Sequence, residues 1–386
     1  MKTDSSMYKL VLLSFALGVA ACGGKSTVRE PTELKNIEKP ALRFDTAWST
    51  NAGVGSDDRI SGLRLNLQAD ALYTADARGR VFAYARDTGK LLWKVETGAR
   101  VVSGPAVTGD AIIVGTLDAE VISLKRSNGK ENWRKTMSSE VLGSPVGEGE
   151  IIVARSIDGR VYGLNSTSGE RIWSFDRVVP NLVLRGNSAP LLIGGQAFVG
   201  MDNGRVVGLR LADGQPLWEQ AISVPSGRTE LERLTDVDAD LLDGPDCIVA
   251  ASFGGEVACL QAESGEALWR RSIRSYSGMA ASEDKLFVTD DTGTLWGLDL
   301  RTGAAAWKQE DLQYRRLSAP SYFEGHVVVG DLEGYLHWVD PSTGAIVARV
   351  RAGSDPILTA PVAGEGKLYV INSTGRLAAI ETRKTQ

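Results

Sequence analysis

The seven residues DTGKLLW, from Asp87 to Trp93, decide the fold, because the chain repeats their pattern of a turn glycine followed four residues later by tryptophan. A further copy, STGAIVA, keeps Gly344 but has Ala348 where the tryptophan would be. Successive tryptophans are separated by 40, 40, 45, 51 and 38 residues. A nearly fixed period of this length predicts a repeat architecture. The six complete copies end at Trp93, Trp133, Trp173, Trp218, Trp269 and Trp307.

The segment from Asp70 to Thr97 shows what one repeat contains. The runs ALYTA, VFAYA and KLLWKVE are predicted strands, separated by the turns DARG and RDTG. SGPAVTGD then supplies a short inner strand for the next copy. Each repeat is therefore predicted to be a four-stranded antiparallel meander. Such a sheet cannot bury both faces alone, but sheets packed around an axis can, which predicts an all-β protein with the β-propeller architecture.

The count of repeats predicts eight blades over residues 42–386. Seven copies are complete, and the eighth, KLYVINSTGRLAAIET, ends at Thr382 without an outer strand. The segment RFDTAWST near the other end of the chain is predicted to supply that strand and to close the ring, which removes exposed sheet edges. The outer-strand tryptophans are predicted to pack on the neighbouring blade and to find a backbone partner for the indole N–H. These residues are Trp48, Trp93, Trp133, Trp173, Trp218, Trp269 and Trp307.

The first 41 residues are predicted to lie outside the propeller. The apolar run LVLLSFALGVAA is too short to span a bilayer and follows Lys2 and Lys9, so residues 1–21 are predicted to be a signal peptide, starting at Met1 or Met7. The small residues before Cys22 resemble a bacterial lipobox, which predicts lipidation there; the alternative is an ordinary signal peptide with an incidental cysteine. The absence of Asp after this cysteine indicates sorting to the outer membrane. Residues 22–41 are polar and are predicted to be a flexible tether.

Composition excludes several classes of function. The formal net charge of −5 gives no global basic field for nucleic acid. An ordinary zinc site could be assembled from the three cysteines and two histidines only by using all of one kind, and no metal or cofactor is predicted. The two histidines, His326 and His337, fall in one predicted hairpin, where surface or packing roles are expected.

Two connections after tryptophan strands are longer than the others. Loop 1 covers residues 176–190 and loop 2 covers residues 224–246. Because all such connections emerge on one face, insertions in consecutive blades must be neighbours there, and insertions commonly carry function. Apolar anchors beside arginine and carboxylates predict a protein-binding patch, although these leucines could instead fold onto the blade with the charges solvated. The candidate residues are Leu182, Leu184, Arg185, Asp236 and Asp238.

Cys247 and Cys259 bracket a predicted hairpin turn, SFGG, almost symmetrically. They either form a cross-strand disulfide, which a periplasmic location permits, or remain buried free thiols. The restrictive geometry of cross-strand pairing favours the thiols.

Taken together, the lipobox, the tether, TAWST, eight blades and the loop motifs LVLRGNSAP and LTDVD resemble the BamB family of lipoproteins in the bacterial outer-membrane β-barrel assembly machinery. The resemblance covers nearly the whole chain. It implies a quinoprotein-like eight-bladed propeller, held by its lipid on the periplasmic face of the outer membrane. It also implies that the five loop residues contact the periplasmic POTRA region of BamA. A non-enzymatic scaffold that assists insertion of unfolded outer-membrane proteins follows; direct binding of those clients is left open.

Two other functions fit parts of the sequence. Quinone-dependent dehydrogenases share the blade pattern but carry adjacent cysteines, and no Cys–Cys pair occurs in this chain. A periplasmic scaffold for a different partner would share the propeller and the loops.

Overall fold

The computed structural model describes residues 29–56, 62–177, 186, 188–224, 229 and 234–384. Every regular element in these ranges is a β-strand. The strands form eight sheets, one for each predicted blade, arranged as a β-propeller. The alternating turns and apolar runs of each repeat therefore give the predicted architecture.

The first half of the ring contains β1 to β18. The two strands before the first blade are β1 (Leu42–Asn51) and β2 (Gly62–Leu63). Blade 1 comprises β3 (Asn66–Leu67), β4 (Ala71–Ala75), β5 (Arg80–Ala85) and β6 (Leu91–Glu96). Blade 2 comprises β7 (Val101–Thr108), β8 (Ala111–Thr116), β9 (Glu120–Lys125) and β10 (Glu131–Thr136). Blade 3 comprises β11 (Val146–Glu148), β12 (Ile151–Arg155), β13 (Arg160–Asn165) and β14 (Arg171–Asp176). Blade 4 comprises β15 (Leu191–Ile193), β16 (Gln196–Gly200), β17 (Arg205–Arg210) and β18 (Pro216–Ala221).

The second half contains β19 to β33. Blade 5 comprises β19 (Leu242–Asp243), β20 (Ile248–Ala251), β21 (Val257–Leu260) and β22 (Ala267–Arg271). Blade 6 comprises β23 (Gly278–Ala281), β24 (Lys285–Thr289), β25 (Leu295–Asp299) and β26 (Ala305–Gln309). Blade 7 comprises β27 (Ser321–Phe323), β28 (His326–Gly330), β29 (Tyr335–Val339) and β30 (Ile346–Arg351). Blade 8 comprises β31 (Val362–Ala363), β32 (Leu368–Ile371), β33 (Arg376–Lys384) and, as its outer strand, β1.

Both ends of the chain build blade 8. Strand β1 pairs antiparallel with β33, with Phe44 opposite Thr382 and Trp48 opposite Ala379. The other seven blades are sequential antiparallel meanders, and blade 2 carries β2 as an additional parallel strand beside β7.

The core lies between the blades. Buried apolar clusters join each sheet to its neighbour; one of them packs Val199 and Val207 of blade 4 against Val153 and Val161 of blade 3. Equivalent clusters occupy the other junctions. The middle strands therefore bury both faces, as their continuous apolar runs require.

The repeated glycine and tryptophan belong to a single contact between neighbouring blades. Trp173 of blade 3 lies against Gly214 in the last turn of blade 4, and its indole N–H donates to the Leu211 carbonyl at 2.8 Å. A Cβ on Gly214 would lie 2.4 Å from the tryptophan ring, so only glycine admits this approach. The other six outer-strand tryptophans make the same bond to the next blade, at 2.7 to 3.0 Å.

In blade 7 the large and the small residue that face each other across the third and outer strands have exchanged places. Ala348 stands on its outer strand, and the residue opposite is Trp338, which is fully buried and packs on Phe44 with 4.3 Å between ring centroids. In blades 3, 4 and 6 the residue opposite the tryptophan is glycine. Blade 8 takes its outer strand from the N-terminal part of the chain and so has no last turn to receive a tryptophan from blade 7.

The segment from Thr32 to Ala41 lies on blades 6 and 7, which corrects the second half of the predicted flexible tether. Thr32 N–H donates to the Gln313 carbonyl and Ala41 N–H to the Val347 carbonyl, each at 3.0 Å. Leu34 packs against the apolar cluster between the two blades. These contacts satisfy backbone groups and bury an apolar side chain, which composition alone does not reveal. We call residues 32–41 the strap.

Two arginines fix the strap to a buried polar group. Arg315 and Arg349 donate to the carbonyls of Thr32 and Lys35, at 3.0 and 3.1 Å. Arg349 also donates to Nδ1 of His337, so the imidazole proton is on Nε2, 2.9 Å from Asp331 Oδ2. Burial lowers the pKa of His337. The histidine is thus neutral and structural.

Cys247 and Cys259 form a disulfide in blade 5, with 5.5 Å between their Cα atoms. This is the alternative that the restrictive geometry of cross-strand pairing favours less. Cys247 lies just before β20 while Cys259 pairs with Val249, so the bridge is diagonal between the two strands.

Candidate functional site

The two long connections enter blades 4 and 5 on one face of the ring. Among the described residues, the turn between the second and third strands bonds to the connection entering the same blade in every blade but blade 4, as in Phe253 N–H to the Asp236 carbonyl at 2.9 Å. We call this side the loop face. Loop 1 joins β14 to β15 and loop 2 joins β18 to β19. Leu182, Leu184 and Arg185 lie outside the described residues, as does Cys22.

The described ends of the two loops are bonded to each other. Ser188 Oγ donates to the Val237 carbonyl at 2.9 Å, and Ala189 N–H donates to Asp240 Oδ1 at 2.7 Å. Gly186 lies directly over Asp238, where a Cβ would be 2.1 Å from the carboxylate. Because Gly186 follows Arg185, loop 2 supports loop 1 next to the candidate contact residues.

Asp236 and Asp238 are buried, with 1% and 7% of their surface exposed. This differs from the expectation that both are surface contacts beside the leucines. Their backbone holds neighbouring elements: the Asp236 carbonyl accepts from Phe253, and Val237 N–H donates to the Met201 carbonyl at 3.2 Å. In the free chain these carboxylates therefore lie beneath the loop face.

Asp238 belongs to a buried group of charges shared by three blades. Arg155, at the end of β12, forms an ion pair with Asp202 in the turn of blade 4, and both side chains are almost fully buried. Burial raises the pKa of Asp238 to about 7, with nearby Asp236 and Asp202 contributing to the rise and Arg155 opposing it. Asp238 therefore titrates near neutral pH.

Sequence reasoning missed Arg155, Asp202 and Gly186, although the repeats contain a signal for Asp202. In most blades a short polar residue begins the turn between the second and third strands, as Asp290 does by accepting from Thr292 N–H and Thr294 N–H at 2.9 Å. Blade 4 has Met201 at that position and places its carboxylate one residue later, at Asp202. Comparing the turns of the repeats would have found this displacement.

No group of three or more His, Cys, Asp or Glu side chains is arranged to hold a metal ion in the described part of the chain. Nor does that part contain a helix long and apolar enough to cross a bilayer.

Comparison with known proteins identifies the family. The family model described as outer membrane protein assembly factor BamB matches residues 77–309 and 311–386. The protein of that name from Alkalilimnicola ehrlichii is 47% identical over 96% of both chains. The Pseudomonas aeruginosa protein is 45% identical over 96% of this chain and 98% of its own, and the Escherichia coli protein is 36% identical over 87% and 88%.

Solved structures show the same fold. The crystal structure of BamB from Moraxella catarrhalis matches with a TM-score of 0.80 at 22% identity, covering 88% of this chain and 100% of that chain. Quinohemoprotein alcohol dehydrogenase from Comamonas testosteroni matches with a TM-score of 0.68 at 13% identity, covering 89% and 78%, which shows the fold alone. On the family model and the full-length identities, this chain belongs to the BamB family of outer membrane protein assembly factors.

Proposed function

We propose that this chain is a scaffold of outer membrane protein assembly that binds the periplasmic POTRA region of BamA through loops 1 and 2. The observation that carries the proposal is that the two longest connections of the ring enter consecutive blades and are bonded end to end, at Ser188–Val237 and Ala189–Asp240. Leu182, Leu184 and Arg185 are the contact residues. Asp236 and Asp238 act from beneath, by holding the backbone on which the contacts rest.

The proposal includes attachment to the membrane. Cys22 carries the lipid, including palmitate, and holds the propeller at the periplasmic face of the outer membrane. Several acyl chains anchor strongly, because each buried CH₂ contributes about 0.8 kcal/mol. Unfolded outer-membrane proteins are the clients of the assembly.

The role is non-catalytic. Relatives carry the name of an assembly factor, and this chain has no pair of adjacent cysteines like that of the quinone-dependent dehydrogenases. Purified chain supplied with pyrroloquinoline quinone and calcium is expected to oxidise neither alcohols nor sugars, and dye reduction above the rate of the quinone alone would overturn this.

Binding to the purified POTRA region of BamA tests the partner directly. Leu182→Ala and Arg185→Ala are each expected to weaken the complex at least tenfold, because interface anchors contribute about 2 kcal/mol or more. Leu92→Ala is the matched control, since Leu92 is 52% exposed on the outer strand of blade 1. Parent chain that does not bind the POTRA region, or loop variants that bind as tightly as the Leu92 variant, would overturn the proposal.

A further inference from the structure

A short N-terminal segment enters the centre of the ring. Strand β2 pairs in parallel with β7, the inner strand of blade 2, so it lies on the channel side of that blade. Arg64 N–H continues the contact by donating to the Gly104 carbonyl at 3.0 Å. Leu63 and Leu65 on either side are buried. The backbone of Arg64 is therefore fixed on blade 2, while its side chain extends away from that blade.

The Arg64 side chain bonds to the connection that enters blade 5. Its Nη1 and Nη2 donate to Asp240, at 2.7 Å to Oδ2 and 3.4 Å to Oδ1. Arg64 is held on the inner strand of blade 2, and Asp240 leads into blade 5, three places away in a ring of eight. The ion pair consequently joins two blades that are not neighbours in the ring.

Asp240 is also the point where the two loops meet. Its Oδ1 accepts the Ala189 N–H at the end of loop 1, and its own backbone lies two residues beyond Asp238 in loop 2. The carboxylate thus receives hydrogen bonds from loop 1 and from Arg64 together. A shift of Asp240 would move the ends of both loops.

We propose that Arg64 is a positioning residue for the loop face: it fixes Asp240 from the N-terminal segment on blade 2 and thereby sets how loops 1 and 2 are presented to the POTRA region. The inference rests on the proposed function. Stability is a poor explanation for this ion pair, because its side chains are 32% and 46% exposed and such pairs contribute at most about 1 kcal/mol. Its geometry instead connects the N-terminal segment with both candidate binding loops.

Two measurements on the whole mature chain test the proposal. In the free chain, Arg64→Met is expected to raise amide exchange at Ala189 and across residues 234–240. In binding experiments, the same variant is expected to weaken the POTRA complex about three- to tenfold without lowering Tm. Arg64→Lys keeps a cation near Asp240 and is expected to recover part of both effects.

Arg100→Met is the matched control. Arg100 makes a similar exposed ion pair on the loop face, donating to Asp118 at 2.7 and 2.9 Å, but has no recorded bond to a described residue of either loop. In the double variant, Arg64→Met is expected to add less than twofold to the loss of binding caused by Asp240→Asn. Each substitution removes the same contact, between Arg64 and Asp240.

The outcomes separate this inference from the proposed function. Unchanged exchange at Ala189, or equal loss of binding in the Arg64 and Arg100 variants, would overturn the positioning role while leaving the partner intact. Arg64→Met could alter amide exchange at Ala189 while the parent chain fails to bind the POTRA region. That result would overturn the proposed partner and leave only the coupling between Arg64 and the loops.

Discussion

Asp238 shows how a residue can serve a binding face without lying on it. Its carboxyl group is buried beneath Gly186, close to Asp202 and Arg155, and its surroundings raise the pKa to about 7. The ordinary value is 3.8, so the folded chain binds more protons than the unfolded chain between these two values. The stability that this group contributes is therefore complete below about pH 4 and is lost as the pH rises through about 7.

Asp238→Asn should remove this pH dependence, because an amide of the same shape does not ionise. The difference in free energy of unfolding, variant minus parent, is expected to rise by a few kcal/mol from pH 4 to pH 8. Urea unfolding across that range measures it. Asp246→Asn, which alters an exposed carboxylate in the turn between β19 and β20, serves as the control. Parallel stability curves for the Asp238→Asn variant and the parent would contradict the raised pKa.

At the scale of the element, the last turn of one blade and the outer strand of the previous blade form one unit. The residue before each outer-strand tryptophan is extra in the pairing, so a bulge turns the indole toward the next blade. The turn glycine then receives the ring. Ala348 follows from this arrangement, because blade 8 offers no such turn and a tryptophan there would have no receiving glycine.

Gly214→Ala tests the close approach. Its Cβ would meet the Trp173 ring at 2.4 Å and its φ of +69° is unfavourable for alanine, so a loss of about 2–4 kcal/mol is expected in thermal or urea unfolding. Gly98→Ala separates the two causes, because Gly98 has a φ of +71° with nothing within 4 Å. It is expected to cost about 1 kcal/mol. Equal losses for both variants would show that backbone conformation alone explains the glycine.

The sequence predicts periodic elements better than single contacts. Eight meanders follow from the turn glycines and apolar runs, because those patterns are local and repeated. The burial of Asp236 and Asp238 does not follow, since it depends on Arg155 and Asp202 in other blades. The sequence also does not show that Trp338 compensates for Ala348, because these two residues face each other only once the strands are paired. Leu34 shows the same limit, because one apolar residue in a polar run gives no periodicity.

For the whole molecule, the strap determines where the N-terminal part of the chain leaves the propeller. Thr32 is bonded to Gln313 and Arg315, next to the loop face of blade 7. The chain is therefore attached to the propeller ten residues before β1 begins. About ten residues then remain between Cys22 and the strap, and a fully extended chain of that length spans at most about 35 Å. A lipid on Cys22 would therefore keep the strap within about 35 Å of the membrane surface.

Arg349→Met should loosen the strap, because it removes the donor to the Lys35 carbonyl. Trypsin is expected to cleave after Lys35 several times faster than in the parent, with the propeller itself resistant, as followed by mass spectrometry. Arg351→Met is the control, since Arg351 donates to Gly353 and not to the strap. Equal cleavage rates in the two variants would indicate that Arg349 does not retain the segment.

The pairing of β1 with β33 has a consequence for biogenesis. Of the described strands, β1 is synthesised first and β33 last, so β1 has no partner until all the others have been made. Nascent chains must pass through an open arc whose terminal sheets expose the apolar surfaces that later become junctions. Chaperones would encounter that arc, and a chain truncated shortly before Arg376 would remain in it permanently.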